Sequence, residues 1–177
     1  MLLQPYKPIW AVHFTQISEI LFTALNGLAV RIEHIGSTAV PLLAAKPIID
    51  IDIVLEGEAT FEEVKDRLES ISYYHNGNQG IADREVFKRL VGATPNATLD
   101  GIAHHLYVCP ADSAELQRHL LFRNYLRSNE AARIAYQNLK QSIAHKAQQN
   151  RKLYAALKEA EARGFIEEIV NKSGFCE

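Results

Sequence analysis

IEHIGSTAVPLLAAKPIIDIDIVL, residues 32–55, reads as a strand, a Gly-Ser turn, a loop and a second strand, and it poses an electrostatic problem. The segment IIDIDIVLEG (residues 48–57) has the β-branched content of a well-buried strand. Strand side chains alternate between faces, so Asp50 and Asp52 share one face with Ile48 and Val54, while Ile49, Ile51, Ile53 and Leu55 line the other. Such neighbours lie roughly 6.5–7 Å apart along the chain, near enough for two carboxylates to repel. Apolar residues bracket the pair, which points to the floor of a cleft, and a cleft floor of this kind needs a cation.

Hard oxygen donors suit Mg²⁺, an ion that keeps several waters and shares the phosphates of a substrate. Two such ions about 3.5–4 Å apart can activate a nucleophile and stabilise a leaving oxygen in phosphoryl or nucleotidyl transfer. The Gly-Ser turn complements them: Gly36 permits close backbone approach, while Ser37 and the adjoining Thr38 offer hydroxyls to a phosphate. The loop stops before Pro47, which pushes Lys46 out of helical conformations. Lys46 then reaches a phosphate or is simply solvated. An exposed strand with a polar face is the plainer reading of Asp50 and Asp52 alone. Gly-Ser and Asp-x-Asp together, twelve residues apart, favour a metal or phosphate site.

Around this segment, apolar positions at helical spacing over residues 11–28 predict an amphipathic helix ended by Asn26-Gly27. AVRIEHI (residues 29–35) alternates as a strand with Val30, Ile32 and His34 on one side. A second helix is expected at 59–71, with Phe61, Val64, Leu68 and Ile71 on one face. YYHNGNQGIAD reads as turn, REVFKRLVG as strand, ATPNATLDGI as a connection and IAHHLYVCP as strand, the two strands forming an antiparallel hairpin. From Asp112 onward there is no proline and little glycine until the last few residues, and three helices fit. Asp112 to Glu115 reads as a capping box for the first of these, and Ser128 or Asn129 caps the second. The expected fold is α/β (α+β): a small mixed sheet flanked by helices over residues 1–110 and a helical part over 111–177, together one domain.

With 47% hydrophobic and 23% charged residues, the chain falls in the ordinary globular class. A formal net charge of −2 gives no global case for nucleic acid or an anionic membrane as partner. Cys109 and Cys176 form neither a metal spacing nor a disulfide framework, so a reducing, cytoplasmic setting is expected. The N-terminal residues make a poor signal peptide, and no apolar run approaches membrane-spanning length.

RIEHIGSTAVPLLAAKPIIDIDIV, HHLYV and HLLFRNYLRSNEAARIAYQNLK together resemble the GrpB (UPF0157) family over nearly the whole chain. The resemblance implies a nucleotidyltransferase-like fold, whose motif is a Gly-Ser followed by an Asp-x-Asp/Glu strand. The family also includes domains fused to dephospho-coenzyme A kinase. Two positions depart from its pattern: Leu42 stands where V-P-G-L carries glycine, which stiffens the loop, and Tyr107 replaces a histidine of H-H-L-H-V. Active members of the superfamily place a third carboxylate on a nearby strand, whereas Asp100 here falls in a turn.

Further candidates follow from position. His105 and Tyr107 share a strand face, so His105 is expected beside the aspartates as an acid–base group, phosphate donor or ligand, or as a structural histidine. His34 precedes the turn by two residues and is a phosphate contact or a structural residue. Arg123 with Arg127, and Tyr136 with Lys140, lie four apart on helix faces, where they form an anion clamp and a stacking ring or a solvated surface. The leading expectation is a Mg²⁺-dependent nucleotidyltransferase with Asp50 and Asp52 on the metal. The alternatives are a catalytically inactive module binding a nucleotide or phosphorylated metabolite, and an accessory domain of the coenzyme A pathway.

Overall fold

Pro8, with φ fixed near its ring value, opens helix α1 (Ile9–Ala24), and Gly27 at φ +88° ends the turn that follows it. The computed structural model describes residues 2–90, 92 and 94–172. Strand β1 (Val30–Ile35) leads through Gly36 into a 3₁₀ turn at Ser37–Ala39, and the loop returns the chain to β2 (Ile49–Leu55). Helix α2 (Phe61–Ser70) begins at a full capping box, in which the Thr60 hydroxyl accepts from the Glu63 amide and the Glu63 carboxylate accepts from the Thr60 amide. Strands β3 (Tyr73–His75) and β4 (Glu85–Arg89), the short helix α3 (Ala97–Gly101) and strand β5 (His104–Pro110) follow. Three helices complete the described chain: α4 (Ala114–Ser128), α5 (Glu130–Lys146) and α6 (Arg151–Lys172).

The mixed sheet has the order β1-β2-β5-β4-β3, with β2 and β5 parallel and the other neighbours antiparallel. A parallel pair needs a crossover, and here α2, β3, β4 and α3 fill it. Ile49, Ile51 and Ile53 point from β2 into a core shared with Trp10, Ile17 and Leu21 of α1 and Val64 and Leu68 of α2. Each fully buried isoleucine contributes roughly 1.5–3 kcal/mol. The opposite face carries Asp50, Asp52 and Val54, and Val54 packs with Cys109 and Leu116 where α4 meets the sheet. A second core joins Leu126, Tyr136, Ile143, Tyr154 and Ile169 of the C-terminal helices to Val40 and Leu43 of the loop.

The expected strands, the β4–β5 hairpin and the helical C-terminal third are all present, and the faces of β1, β2 and β5 alternate as anticipated. Three local expectations are corrected. The stretch read as turn contains β3, whose three residues are too few to show alternation. The connection before β5 contains α3, opened by the Asn96 side chain accepting from the Thr98 and Leu99 amides. Ser113, not a box at Asp112 to Glu115, caps α4, while Asn129 caps α5 as expected. Cys176, and Val91 near the end of the anticipated β4, lie outside the described residues.

Leu42 is 69% exposed and adopts φ +66°, so the position still has the backbone that glycine suits and the side chain gains no packing in return. Replacing Leu42→Gly is therefore expected to stabilise the fold by about 1 kcal/mol, a Tm rise of roughly 2–4 °C. A calorimetric Tm that falls instead would show that the leucine is supported by contacts this geometry lacks.

Candidate active site

The backbone of the Gly-Ser turn is pressed against Asp50. Gly36 has φ +71°, and a Cβ built there would lie 2.3 Å from Asp50 Oδ2, so a side chain is excluded both by conformation and by space. The register sets Asp50 beside Ile35 on β1 and beside His105 on β5. His105 Nδ1 donates to Asp50 Oδ1 at 2.7 Å, and the His105 side chain is half exposed.

Asp52 is fully buried, between Glu33 of β1 and Tyr107 of β5 in the register. Its cation is a side chain. His119 of α4 donates from Nδ1 to Asp52 Oδ2 at 2.9 Å, and its Nε2 lies 3.3 Å from Glu115 Oε1, so both ring nitrogens face carboxylates. Burial works against the charged ring, but the hydrogen bonds to Asp52 and Glu115 outweigh it and hold the His119 pKa at about 9. The imidazolium thus stands where the spacing of the aspartates called for a metal. Asp52 Oδ1 is buried without a hydrogen-bond partner, an orphan that a cation would satisfy. The donor set does not fit a two-ion centre, however: each aspartate is held by a histidine, and Glu115 is turned toward His119. Among the described residues, no group of three or more His, Cys, Asp or Glu side chains is arranged to hold a metal ion.

Ser37 faces Lys140 of α5, whose Nζ donates to Ser37 Oγ at 3.1 Å and to the Ala44 carbonyl at 2.6 Å. Lys140 is buried, and burial, with the nearby charge of Lys158, pushes its pKa well down. The Lys140 ammonium also lies 4.8 Å from the centroid of Tyr136, a ring packed between Phe122 and Phe165. Lys46 sits over the Tyr154 ring at 4.2 Å. These residues meet around one open cleft of about 820 Å³, with the Gly-Ser turn, Asp50 and His105 in its wall. Seven lysines and arginines line it against three carboxylates, a cationic hollow in a chain of net charge −2.

Other expected contacts do different work. His34 points to the opposite sheet face, where it stacks on Phe14 at 4.6 Å and pairs with Thr38 Oγ1 at 3.1 Å; burial pushes its pKa down to about 4. Thr38 donates to the Ile48 carbonyl, bracing the turn against the start of β2. Arg123 donates to Glu33 and to the His34 carbonyl, and Arg127 to the Ala39 carbonyl, so the anticipated clamp fastens α4 to the sheet and the turn. Sequence reasoning passed over Glu115, His119, Arg84 and Lys158. The first two had a signal: Glu115, His119, Arg123 and Arg127 recur every four residues, a continuous polar stripe on the buried side of α4.

The two histidines give stability opposite pH slopes. His119, raised above its ordinary 6.5, stabilises fully below that value, and the contribution is lost as pH rises through about 9. His34, depressed, stabilises fully above 6.5, and the contribution is lost as pH falls through about 4. Urea melts are expected to show greatest stability near pH 6.5, with the alkaline decline largely removed in His119→Gln. A wild-type profile flat from there to pH 9 would contradict the Asp52–His119 ion pair.

Residues 1–172 match the family described as GrpB protein. The UPF0157 protein YqkA of Bacillus subtilis is 32% identical over 139 residues, which cover 78% of this chain but only 38% of that relative. A dephospho-CoA kinase of Mycobacterium leprae is 29% identical, with 86% of this chain matching 42% of it. The crystal structure of GrpB from Enterococcus faecalis superposes with a TM-score of 0.76 at 31% identity, covering 96% of this chain and 98% of that one. The Cid1 poly(U) polymerase bound to MgGTP superposes with a TM-score of 0.55 at 12% identity over 83% of this chain and 45% of that one, a likeness of fold alone. The chain therefore shares a nucleotidyltransferase-like fold, and it belongs to the GrpB family.

Proposed function

We propose that the cleft binds the polyphosphate of a nucleotide, with the Gly-Ser turn and Lys140 at the phosphates. The observation that carries this reading is the accumulation of cations around Ser37: Lys140 in direct contact, with Lys46 and Lys158 in the same wall. Arg84 adds support, because its Nε is buried without a partner while its guanidinium lies over the Tyr107 ring at 4.8 Å. An anion relieves the mutual repulsion of Lys46 and Lys158 and favours the ammonium of Lys140, which burial disfavours.

On this reading the chemistry is nucleotidyl transfer to a hydroxyl acceptor, and Mg²⁺ is a counter-ion of the free nucleotide that is not held by Asp50 and Asp52 and that the transfer itself does not require. The setting is cytoplasmic, in keeping with two cysteines that form no disulfide framework. Among the described residues, no helix is long and apolar enough to cross a membrane. A second reading, an accessory domain for coenzyme A synthesis that works beside dephospho-coenzyme A kinase, is favoured by the match to the mycobacterial enzyme.

Thermal-shift titration with the four ribonucleoside triphosphates and dephospho-coenzyme A, with and without Mg²⁺, separates the readings. A ligand at a hundredfold excess over its dissociation constant stabilises the native state by about 2.7 kcal/mol. Nucleoside triphosphates are expected to shift the wild type, and Lys158→Met to weaken them about tenfold through loss of one charge-assisted contact. A shift by dephospho-coenzyme A alone would favour the accessory role, and no shift by any of the five would refute the phosphate site.

A further inference from the structure

The pairing of Asp50 with His105 leaves one nucleophile unaccounted for. Asp50 is anchored by β2 and crowded by Gly36, so its carboxylate holds a fixed position. The 2.7 Å bond to Nδ1 of His105 fixes the ring and its tautomer, placing the proton on Nδ1 and the lone pair on Nε2. That nitrogen has no hydrogen-bond partner among the described residues, and the side chain is 52% exposed. His105 also stands where two clefts meet, sharing Gln79, His105 and Tyr107 as common wall. One is the cationic cleft; the other, about 800 Å³, lies beside the paired strands β4 and β5 and helix α3 and is lined by Val86, Phe87, Leu99 and Ile102 with Tyr73 and Arg89.

A general base needs only to reach a proton, whereas this imidazole lies between a phosphate-binding surface and a second, more apolar one. Resting on the polyphosphate reading above, we propose that His105 is the nucleophile of a metal-independent, two-step nucleotidyl transfer, with the acceptor hydroxyl bound in the second cleft. In the first step the Nε2 lone pair attacks the α-phosphorus of a nucleoside triphosphate. The Nε2–P bond forms, the P–O bond to the β-phosphate breaks, and pyrophosphate leaves with the electron pair and no need of a proton. The proton on Nδ1 stays shared with Asp50, whose charge balances the ring as it becomes cationic. In the second step the acceptor hydroxyl, or water, attacks the same phosphorus; the N–P bond breaks, the pair returns to Nε2, and the hydroxyl proton passes to solvent. His105 is catalytic in this scheme and Asp50 a positioning residue.

The full chain is incubated with each nucleoside triphosphate labelled at the α-phosphate, in EDTA, and the protein is assayed for an adduct labile to acid and stable to alkali. The wild type is expected to label. His105→Asn should lose at least about a hundredfold of the labelling rate while keeping the nucleotide-induced thermal shift, since an exposed ring can be replaced without disturbing the core. Asp50→Asn preserves an acceptor for Nδ1 but not the charge, and should slow labelling without changing the nucleotide concentration for half-maximal rate. Labelling that survives in His105→Asn overturns the proposal, as does wild-type protein that shifts with nucleotide but never labels, or that labels only when Mg²⁺ is added. Absence of both shift and label overturns the polyphosphate reading as well, so the two failures are distinct.

Discussion

Two carboxylates stand two residues apart on one face of β2, and one of them, Asp52, is removed from water altogether. An ionised group costs several kcal/mol to bury even after relaxation, so the chain must supply a cation at that spot or lose the strand. His119 supplies it from α4, and Glu115, one helical turn earlier, holds the far side of the ring. The consequence reaches beyond the site. Helix α4 cannot rotate or slide on the sheet without stranding a buried charge, and Arg123 and Arg127 on the same stripe fix it further to Glu33 and to the 3₁₀ turn. Through α4 the second hydrophobic core is held in register with the first.

Lys140 extends the same logic to α5. A buried ammonium is tolerated because it donates to Ser37 and the Ala44 carbonyl and lies against the Tyr136 ring. The Gly-Ser turn is thus gripped from two directions, by Asp50 against Gly36 and by Lys140 against Ser37. This double grip allows a loop with an exposed, strained Leu42 to present its turn in one conformation.

Local patterns carried most of the fold and about half of the site. The alternation of Ile49, Ile51 and Ile53 with Asp50 and Asp52, the glycine at the turn and the helical periodicities are short-range features, and each survives folding unchanged. The parallel pairing of β2 with β5 is what carried His105 to Asp50 across 55 residues; the sequence could name both residues but not their 2.7 Å bond. His119 carried the four-residue stripe of α4 as a signal, but the stripe does not say which face of the helix docks. A histidine on a helix otherwise rich in charge looks solvated until the helix docks, and which face docks depends on the second core, not on the local period. For His34 the sequence left a phosphate contact and a structural role both open, and alternation along β1 puts it on the face away from Asp50, stacked on Phe14.

Fold likeness to a nucleotide-polymerising enzyme leaves the chemistry open, because chemistry belongs to the site and not to the fold. Asp50 accepts a hydrogen bond from His105, Asp52 and Glu115 flank His119, and Glu33 pairs with Arg123 and Arg31. Tyr107, beside Asp52 on β5, adds no negative charge and packs under the Arg84 guanidinium. With its carboxylates engaged from within and Arg163 paired to Glu167, the cleft retains Lys46 and Lys158 as cations without a carboxylate partner among the described residues, with Glu159 in the same wall. A divalent ion entering alone would add to that positive charge, whereas a polyphosphate would cancel it. The electrostatics of this site thus ask for an anion, although the aspartate spacing by itself asks for a metal.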